Sequence, residues 1–317
     1  MRVSWPHMRV FMTGGTGLVG SAVAQALVDR GDTVVILSRA MRRGPDGMQF
    51  VGGRSASPGG WEDRVAGCDA VVHLGSEPMA RWSWTDLHER AVTASRVDGT
   101  ANLVAAIAAA PAPARPRILI AASTADRYPF DESDTRYAES APAGDHFFGR
   151  LAEGWEAATL AARRHDLRVV AFRHGVVLGQ GERGYRQLSS AQKLLYRGPC
   201  GGGEQWLSWV HIDDVVTAYL AALDGQLDGA YNLVAPGAIR QSDFARAVSG
   251  VLHREAWTHI SEARLRSRLG PYTDALVNGR RVVPLALEAA GFRFRRMDLP
   301  AALAASLDSR QPGRGTL

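Results

Sequence analysis

The 317-residue chain is poor in lysine and cysteine and contains no long apolar run. Its two cysteines, Cys68 and Cys200, lie far apart in the sequence, which argues against a disulfide framework and against a metal site. No apolar run reaches the roughly 18 residues that a membrane-spanning helix needs, and the N-terminal segment lacks the apolar stretch of a signal peptide. We therefore expect a cytoplasmic protein that uses neither a membrane nor a metal ion.

Lysine is almost absent, because Lys193 is the only one, so the formal net charge of +5 comes from arginine. The arginines are spread along the chain rather than gathered in a basic arm or helix, so we expect no nucleic-acid partner. Apolar residues make up 46% of the chain, enough for the core of one large domain or of one domain with a smaller lobe. These numbers favour a basic globular enzyme.

Apolar strand patterns alternate with amphipathic helix patterns over the first two-thirds of the chain. The predicted strands are 8–14, 33–38, 69–75, 117–123 and 167–178, and the predicted helices are 18–31, 94–110 and 151–166. Continuous apolar strands between helices indicate a parallel sheet that is covered on both faces. The predicted fold class is therefore α/β, a Rossmann-type doubly wound parallel sheet.

The last third of the chain is predicted to form a smaller, mainly helical lobe on the open side of the sheet. The helix patterns cover 239–254, with a cap near Ser242, and then 261–270 and 284–291. We expect a Rossmann domain over 8–235, with parts of 180–210 contributing to the substrate cleft. A C-terminal substrate lobe over 236–303 and a tail over 304–317, with disorder expected at 311–317, complete the predicted organisation.

A glycine-rich turn joins the first predicted strand to the first predicted helix. Gly14 permits a sharp turn, Gly17 permits close approach of a pyrophosphate to the backbone, and Gly20 permits close packing of helix on strand. Free backbone N–H groups and the positive end of the helix then bind the phosphates. Because strand, turn, helix and second strand follow in the right order, the turn predicts a dinucleotide site rather than a purely structural turn.

The end of the second predicted strand carries Ser38 and Arg39 where an NAD site usually has an acidic residue for the ribose 2′-hydroxyl. Arg42 and Arg43 follow closely. A guanidinium pairs well with a 2′-phosphate, so the pattern favours NADP(H) over NAD(H). The alternative is that these arginines belong to a solvated loop.

Several stretches resemble one family of proteins: TGGTGLVG at 13–20, DAVVHLGSEPM at 69–79, SRVDGTANLVAAI at 95–107, FRHGVVLG at 172–179 and GGGEQWLSWVHIDDVV at 201–216. The chain resembles the extended, epimerase/dehydratase form of the short-chain dehydrogenase/reductase superfamily, and more closely an atypical branch of epimerase-family proteins. The resemblance runs from about residue 8 to about 303. It implies a Rossmann domain that binds NADP(H) and a small C-terminal lobe; substrates across the extended group are often nucleotide sugars.

The tyrosine and lysine that carry proton transfer in typical members are missing. The resemblance puts Phe148 at the tyrosine position and Ala152 at the lysine position, and neither side chain can move a proton. The only lysine, Lys193, has Ser189 four residues before it, so a shifted alignment does not restore the pair. Of the usual catalytic groups, only the hydroxyl position survives, as Thr124 or Ser123.

Other residues after the predicted strands are candidates for the proton transfer that the missing tyrosine and lysine would have carried out. Tyr128 is the first choice for a proton donor, with a packing tyrosine as the alternative, and His146 could titrate near neutral pH. Arg96 stands where the resemblance implies an asparagine, and it either takes over a structural role or contacts an anion. The substrate-facing candidates are Glu77, Asp145 and Trp206, with a helix cap as the stronger reading of Asp145. The full set predicted to bind the cofactor is Gly14, Thr16, Gly17, Leu18, Val19, Ser38, Arg39, Leu74, Gly75 and Arg96.

Three functions remain open on the sequence. The chain is an NADP(H)-dependent oxidoreductase or epimerase-like enzyme for a small molecule, an NADP(H)-binding regulator without turnover, or a non-redox biosynthetic catalyst on the same fold. Loss of the proton-transfer pair disfavours ordinary ketone reduction by about 2–4 orders of magnitude if nothing replaces it. A homodimer is possible for any of them.

Overall fold

The computed structural model describes residues 7–79, 84–179, 192–196, 198–253 and 260–307. The sequence-based expectations for residues 311–317 of the tail and for residues 180–191 of the cleft region lie outside these ranges.

A seven-stranded parallel sheet forms the centre of the molecule, as predicted. Its strands in the order of the sheet are β11 (Gly229–Leu233), β7 (Arg168–His174), β5 (Ile118–Thr124), β4 (Ala70–His73), β1 (Arg9–Thr13), β2 (Thr33–Ser38) and β3 (Met48–Gly52). The strand order reverses between β1 and β4, and ligands of such sheets bind outside the carboxyl ends of the strands at that point.

Helices cover both faces of the sheet because the strands carry apolar side chains on both sides. Val10 and Met12 of β1 pack on one face with α1 (Leu18–Arg30) and α5 (Ile212–Asp224). Phe11, between them, packs on the opposite face with α2 (Asp86–Ala109). The third helix, α3 (Phe147–Leu160), packs against α2 and continues as a 3-10 turn over Ala161–His165. This is the doubly wound Rossmann-type arrangement that the sequence predicts.

A second apolar core holds most helices of the last third of the chain together. Of these helices, α6 (Gln241–Leu252), α7 (Glu262–Leu269), α8 (Tyr272–Val277) and α10 (Leu299–Leu307) contribute to this core, whereas α9 (Leu285–Ala289) buries Leu287 in the core of the main sheet. Phe244 of α6, Leu269 of α7 and Leu303 of α10 share one cluster with Trp209 of the first lobe. The short helix α4 (Gln192–Leu195) joins the same cluster. The boundary at residues 235 and 236 stays a prediction.

Three short two-stranded pairings lie outside the main sheet, and the second and third of them connect the lobes. They join β8 (Val176–Leu178) to β10 (Trp209–His211), β9 (Trp206–Leu207) to β12 (Ile239–Arg240), and β6 (Arg136–Tyr137) to β13 (Arg281–Val282). The single strand predicted over 167–178 is wrong in this respect, because the chain leaves the main sheet after His174 and enters the small one. The predicted cap near Ser242 is also wrong: the N-cap of α6 is Arg240.

No helix within the described ranges is long and apolar enough to cross a membrane. The cytoplasmic location stays a prediction.

Candidate functional site

A cleft of about 710 Å³ opens at the carboxyl ends of the central strands and reaches the C-terminal lobe. Of the residues predicted from sequence, it is lined by Gly14, Gly17, Leu18, Val19, Leu74, Arg96, Ser123, Thr124 and Trp206. Thr16, Ser38, Arg39, Gly75, Glu77, Tyr128, Asp145 and His146 are not among its lining residues. The cleft therefore brings the glycine turn, the hydroxyl position and the second lobe together.

The glycine turn forms the first wall of the cleft, and each glycine has a different reason to be there. Gly14 adopts φ +70°, and a Cβ there would stand 2.5 Å from the carbonyl carbon of Leu74. A Cβ on Gly20 would collide with the carbonyl oxygen of Gly14. By contrast, a Cβ on Gly17 would make only an ordinary contact of 3.5 Å. Gly17 is exposed and is the N-cap of α1, so its missing side chain leaves space for a ligand at the helix N-terminus.

A buried relay of hydrogen bonds fixes the turn against the next strand. Thr13 Oγ1 accepts a hydrogen bond from Gly75 N–H at 2.9 Å and lies 2.7 Å from His73 Nδ1. The other ring nitrogen, Nε2, lies 3.0 Å from Thr100 Oγ1, which itself donates to the carbonyl of Arg96. Burial and then the charge of Arg96 lower the pKa of His73 to about 4, so His73 is neutral and structural. Gly75 thus stabilises the turn through its hydrogen bond to Thr13.

Ser38 and Arg39 lie beside the turn, because Leu37 of β2 pairs with Thr13 of β1. The Arg39 side chain is exposed and has no hydrogen bond or ion pair within the described part of the chain. No acidic side chain follows directly on the end of β2, where Ala40 and Met41 come next. An unpaired guanidinium at this position fits a ribose 2′-phosphate.

The positions of the missing pair are apolar and closed. Phe148 is 1% exposed and Ala152 is fully buried, both on α3. Phe148 packs edge-on against Phe147 and Tyr272, with ring centroids 5.1 Å and 6.1 Å away. No proton can be exchanged at either position.

The structure corrects the expectation for Tyr128, which lies in a buried polar network away from the cleft. Its hydroxyl donates to Asn232 Oδ1 at 2.6 Å and accepts from Arg173 Nη1 at 2.7 Å. Tyr128 has no exposed surface, and burial, the largest effect, raises the pKa of its phenol. A phenol held in this way cannot reach a substrate.

Ser123 belongs to the same network although it lines the cleft. Its hydroxyl donates to Glu156 Oε1 at 2.6 Å, and Glu156 also receives two hydrogen bonds from Arg173, at 2.8 Å and 2.7 Å. The bidentate ion pair is buried on both sides. Ser123 is therefore occupied in anchoring α3 to the sheet.

His146 and Asp145 are also corrected, because both serve the start of α3. His146 is the N-cap: its Nδ1 accepts from Gly149 N–H at 3.2 Å, and its ring stacks on Phe130 at 4.0 Å. Burial, the largest effect, lowers the pKa of His146. The exposed Asp145 pairs with Arg150 at 2.8 Å. Both residues lie at the surface end of the helix rather than in the cleft.

Thr124, by contrast, reaches the cleft as part of a network that the sequence did not reveal. Its hydroxyl bonds Asp126 Oδ2 at 3.1 Å, and Arg280 of the second lobe pairs with Asp126 Oδ1 at 3.0 Å. All three residues line the cleft. Asp126 could have been found by its place two residues after the strand end, whereas Arg280 comes from a distant segment.

Arg96 and Glu77 meet at the loop after β4. The guanidinium donates to the carbonyl of Glu77 at 2.9 Å and to that of Val92 at 3.2 Å, and lies 5.2 Å from the ring of Trp155. Glu77 thus contributes its backbone to Arg96, and its carboxylate is not within 4.0 Å of that guanidinium. Burial lowers the pKa of Arg96 to about 10, so Arg96 stays charged at neutral pH.

Aromatic side chains line the rim and the far wall of the cleft. Trp206 donates from its ring nitrogen to the carbonyl of Ser133 at 2.7 Å, and Arg240 and Arg281 lie 3.9 Å and 4.8 Å from its ring centroid. Tyr272, at the start of α8, reaches the cleft from the C-terminal lobe. No sequence pattern distinguishes Tyr272 from a core residue.

In the described residues, no group of three His, Cys, Asp or Glu side chains is placed to hold a metal ion.

With this geometry in view, comparison with known proteins defines the family. The model of the NAD dependent epimerase/dehydratase family matches residues 10–233, and that of a domain of unknown function (DUF1731) matches residues 263–306. The chain belongs to the NAD dependent epimerase/dehydratase family. The resemblance to this superfamily, and the fold class that it implies, are confirmed.

Individual relatives cover both lobes. Epimerase family protein SDR39U1 of Bos taurus is 34% identical over 308 residues, 93% of this chain and 98% of its own. The crystal structure of human epimerase family protein SDR39U1 (isoform 2) with NADPH is 31% identical, with a TM-score of 0.78 and coverage of 94% and 98%. A nucleoside-diphosphate sugar epimerase from Corynebacterium glutamicum is 28% identical, with a TM-score of 0.73, and matches 95% of this chain and 58% of its own.

Proposed function

We propose that the chain is an NADP(H)-dependent oxidoreductase of the epimerase/dehydratase type that acts on a small molecule between its two lobes. The observation that carries the proposal is the continuity of the cleft. It runs from the glycine turn past Thr124 to the C-terminal lobe, so cofactor and substrate would share one space.

The residues present fit NADPH. Gly17 leaves the N-terminus of α1 open, where backbone N–H groups and the helix dipole favour a pyrophosphate. The exposed Arg39 suits the 2′-phosphate that distinguishes NADPH from NADH. The NADPH in the human relative's structure supports the same cofactor here.

When bound, NADPH would supply a hydride, and the chain must supply the rest. Thr124 lies at the end of β5, where its hydroxyl donates to Asp126 and its oxygen can accept a hydrogen bond from a substrate hydroxyl; Asp126 is the one carboxylate lining the described cleft. With NADP⁺ bound, a substrate alcohol would give its hydride to the cofactor and its proton to the Thr124 oxygen, while Thr124 passes its own proton to Asp126; reduction by NADPH would run these transfers in reverse. Arg280 keeps that carboxylate oriented through its ion pair.

Turnover tests this proposal. NADPH consumption is measured against a panel of nucleotide sugars and small keto acids, first with the wild-type chain and then with Thr124→Val. We expect the rate to fall about a hundredfold, as when one hydrogen-bond donor to a reacting oxygen is removed. Thr159→Val is the matched control, because its hydroxyl bonds the carbonyl of Trp155 inside α3.

A second candidate function is an NADP(H)-binding regulator without turnover. The closed, apolar Phe148 and Ala152 favour it, because the usual proton-transfer groups are gone. Tight NADPH binding with no consumption across the panel would support this function and contradict the first. Substrate conversion without net NADPH consumption would instead exclude the regulator and indicate either an epimerase, which returns the hydride that it takes, or the non-redox catalyst.

A further inference from the structure

One buried cation in the cleft has unused hydrogen-bonding capacity. Arg96 is 4% exposed and lines the cleft. Only its Nη1 has acceptors among the described residues; Nε is buried with none. No carboxylate lies within 4.0 Å of Arg96 in the described part of the chain, although Glu77 is close enough to favour its charged form. A buried charge without a close counter-ion is costly, so such a site favours binding of an anion.

A second unused donor faces the same space. The Tyr272 hydroxyl makes no hydrogen bond to any described residue, and its ring is fixed edge-on against Phe148. Burial, the largest effect, and the charge of Asp126 raise the pKa of Tyr272. The phenol therefore stays protonated at neutral pH and acts as a donor rather than a base. Arg96 and Tyr272 also interact electrostatically: Tyr272 acts to raise the pKa of Arg96, and the charge of Arg96 acts to lower that of Tyr272.

The charged side chains that line the cleft also give it a positive net charge. Among the described residues, the charged side chains that line it are Arg96, Arg280 and Asp126, and Asp126 is already paired with Arg280. Of these lining charges, only that of Arg96 has no carboxylate within 4.0 Å, and Glu77 acts on it from farther away. A cleft with this excess attracts anions into a space where water screens poorly.

From this geometry we infer a subsite in which Arg96 and Tyr272 bind the anionic group, a carboxylate or a phosphate, of the substrate. This inference rests on the proposed function and extends it, because it predicts that the substrate carries a negative charge. Tyr272 belongs to the C-terminal lobe, and Arg96 to α2 of the Rossmann domain. A ligand that contacts both lies between the lobes. The cofactor pyrophosphate has its own donors at the N-terminus of α1.

The test is anion binding by the full-length chain, measured calorimetrically with malonate and with inorganic phosphate, both with and without saturating NADPH. We expect saturable binding in both cases. A preference for malonate assigns a carboxylate substrate, and a preference for phosphate assigns a phosphorylated one. Tyr272→Phe, which removes one oxygen, should weaken binding roughly tenfold, as for a hydrogen bond to a charged group. Arg96→Met should weaken it further, and Arg96→Lys should restore part of the loss.

Matched controls remove a charge or a phenol elsewhere. Arg150→Met loses a surface cation outside the cleft, and Tyr128→Phe loses a buried phenol outside it; neither should change anion affinity. If Arg96→Met fails to fold, the Tyr272→Phe result decides alone.

Three results would overturn the subsite: no anion binding by the wild type, unchanged affinity in Tyr272→Phe, or displacement of the anion by NADPH. Displacement by NADPH would show that the anion binds in the site of the cofactor's own phosphates. Failure of the wild type to bind NADPH, with anion binding intact, would contradict the proposed function and leave the subsite supported.

Discussion

At the scale of single residues, the most consequential side chains are buried polar groups with complete sets of partners. Glu156, Arg173, Ser123 and Tyr128 form one network behind the cleft, and Tyr128 reaches Asn232 of the edge strand. Such networks stay intact only if every member is satisfied, because an unpaired buried charge is expensive. They hold α3 and β7 in place, and α3 carries the closed positions Phe148 and Ala152.

The ion pair between Glu156 and Arg173 should therefore matter far more than a surface pair. We expect Glu156→Gln to lower the free energy of unfolding by about 3–5 kcal/mol, because it leaves Arg173 buried and uncompensated. Glu153→Gln removes a half-exposed carboxylate 3.6 Å from Arg127 and should cost about 0–1 kcal/mol. Chemical denaturation of both variants measures this, and equal losses would contradict the assignment.

His73 gives the chain a defined pH dependence. The unfolded histidine binds a proton near its ordinary pKa of 6.5, whereas the native one does so only near 4. The unfolded state therefore holds more protons between these values, and native stability falls as the pH drops from about 6.5 towards 4. Full protonation of the unfolded chain costs about 3 kcal/mol through this residue. The slope of unfolding free energy against pH should be shallower in His73→Gln; an unchanged slope would show that His73 does not cause it.

At the scale of elements, the joint from the end of β1 to the first turn of α1 contains both glycines that the fold requires, Gly14 and Gly20, and one that leaves space for a ligand, Gly17. The sequence predicts the joint well, because the period of the apolar pattern and the glycines that interrupt it are local signals. The broken strand after His174 was not predictable in the same way. Whether the chain continues in the sheet depends on Trp209 and its neighbours, which pair with Val176 and lie more than thirty residues later. The N-cap at Arg240 similarly lacks a side-chain signal.

The three glycines of this joint should respond differently to alanine. Gly14→Ala meets the Leu74 backbone at positive φ, and Gly20→Ala meets the Gly14 carbonyl, so both should lower the melting temperature. Gly17→Ala has room and a φ of −81°, so its stability should change little. It should nonetheless weaken NADPH binding, measured by cofactor fluorescence. A large loss of stability in Gly17→Ala would contradict its assignment to the ligand.

At the scale of the whole molecule, the cleft is the product of two lobes, and this explains what the sequence could not predict. Several residues of the Rossmann half that line it, such as Gly14, Leu74 and Thr124, lie at or just after strand ends and are predictable from that position. Tyr272 and Arg280 come from the other lobe, where no period or motif marks a side chain as facing the cleft. Tyr128 was misplaced for the converse reason: it follows a strand end, but the chain turns it inward towards Arg173.

The central claim is that the chain holds NADPH, and that Arg39 recognises the phosphate that NADH lacks. The most direct test is equilibrium titration of both cofactors against the wild type, Arg39→Ala and, as a control of equal charge change, Arg150→Ala. We predict tighter binding of NADPH than of NADH by roughly tenfold or more in the wild type and in Arg150→Ala, as for a charge-assisted pair, and loss of most of this preference in Arg39→Ala. Equal affinity for the two cofactors in the wild type, or a preference that survives in Arg39→Ala, would contradict the account.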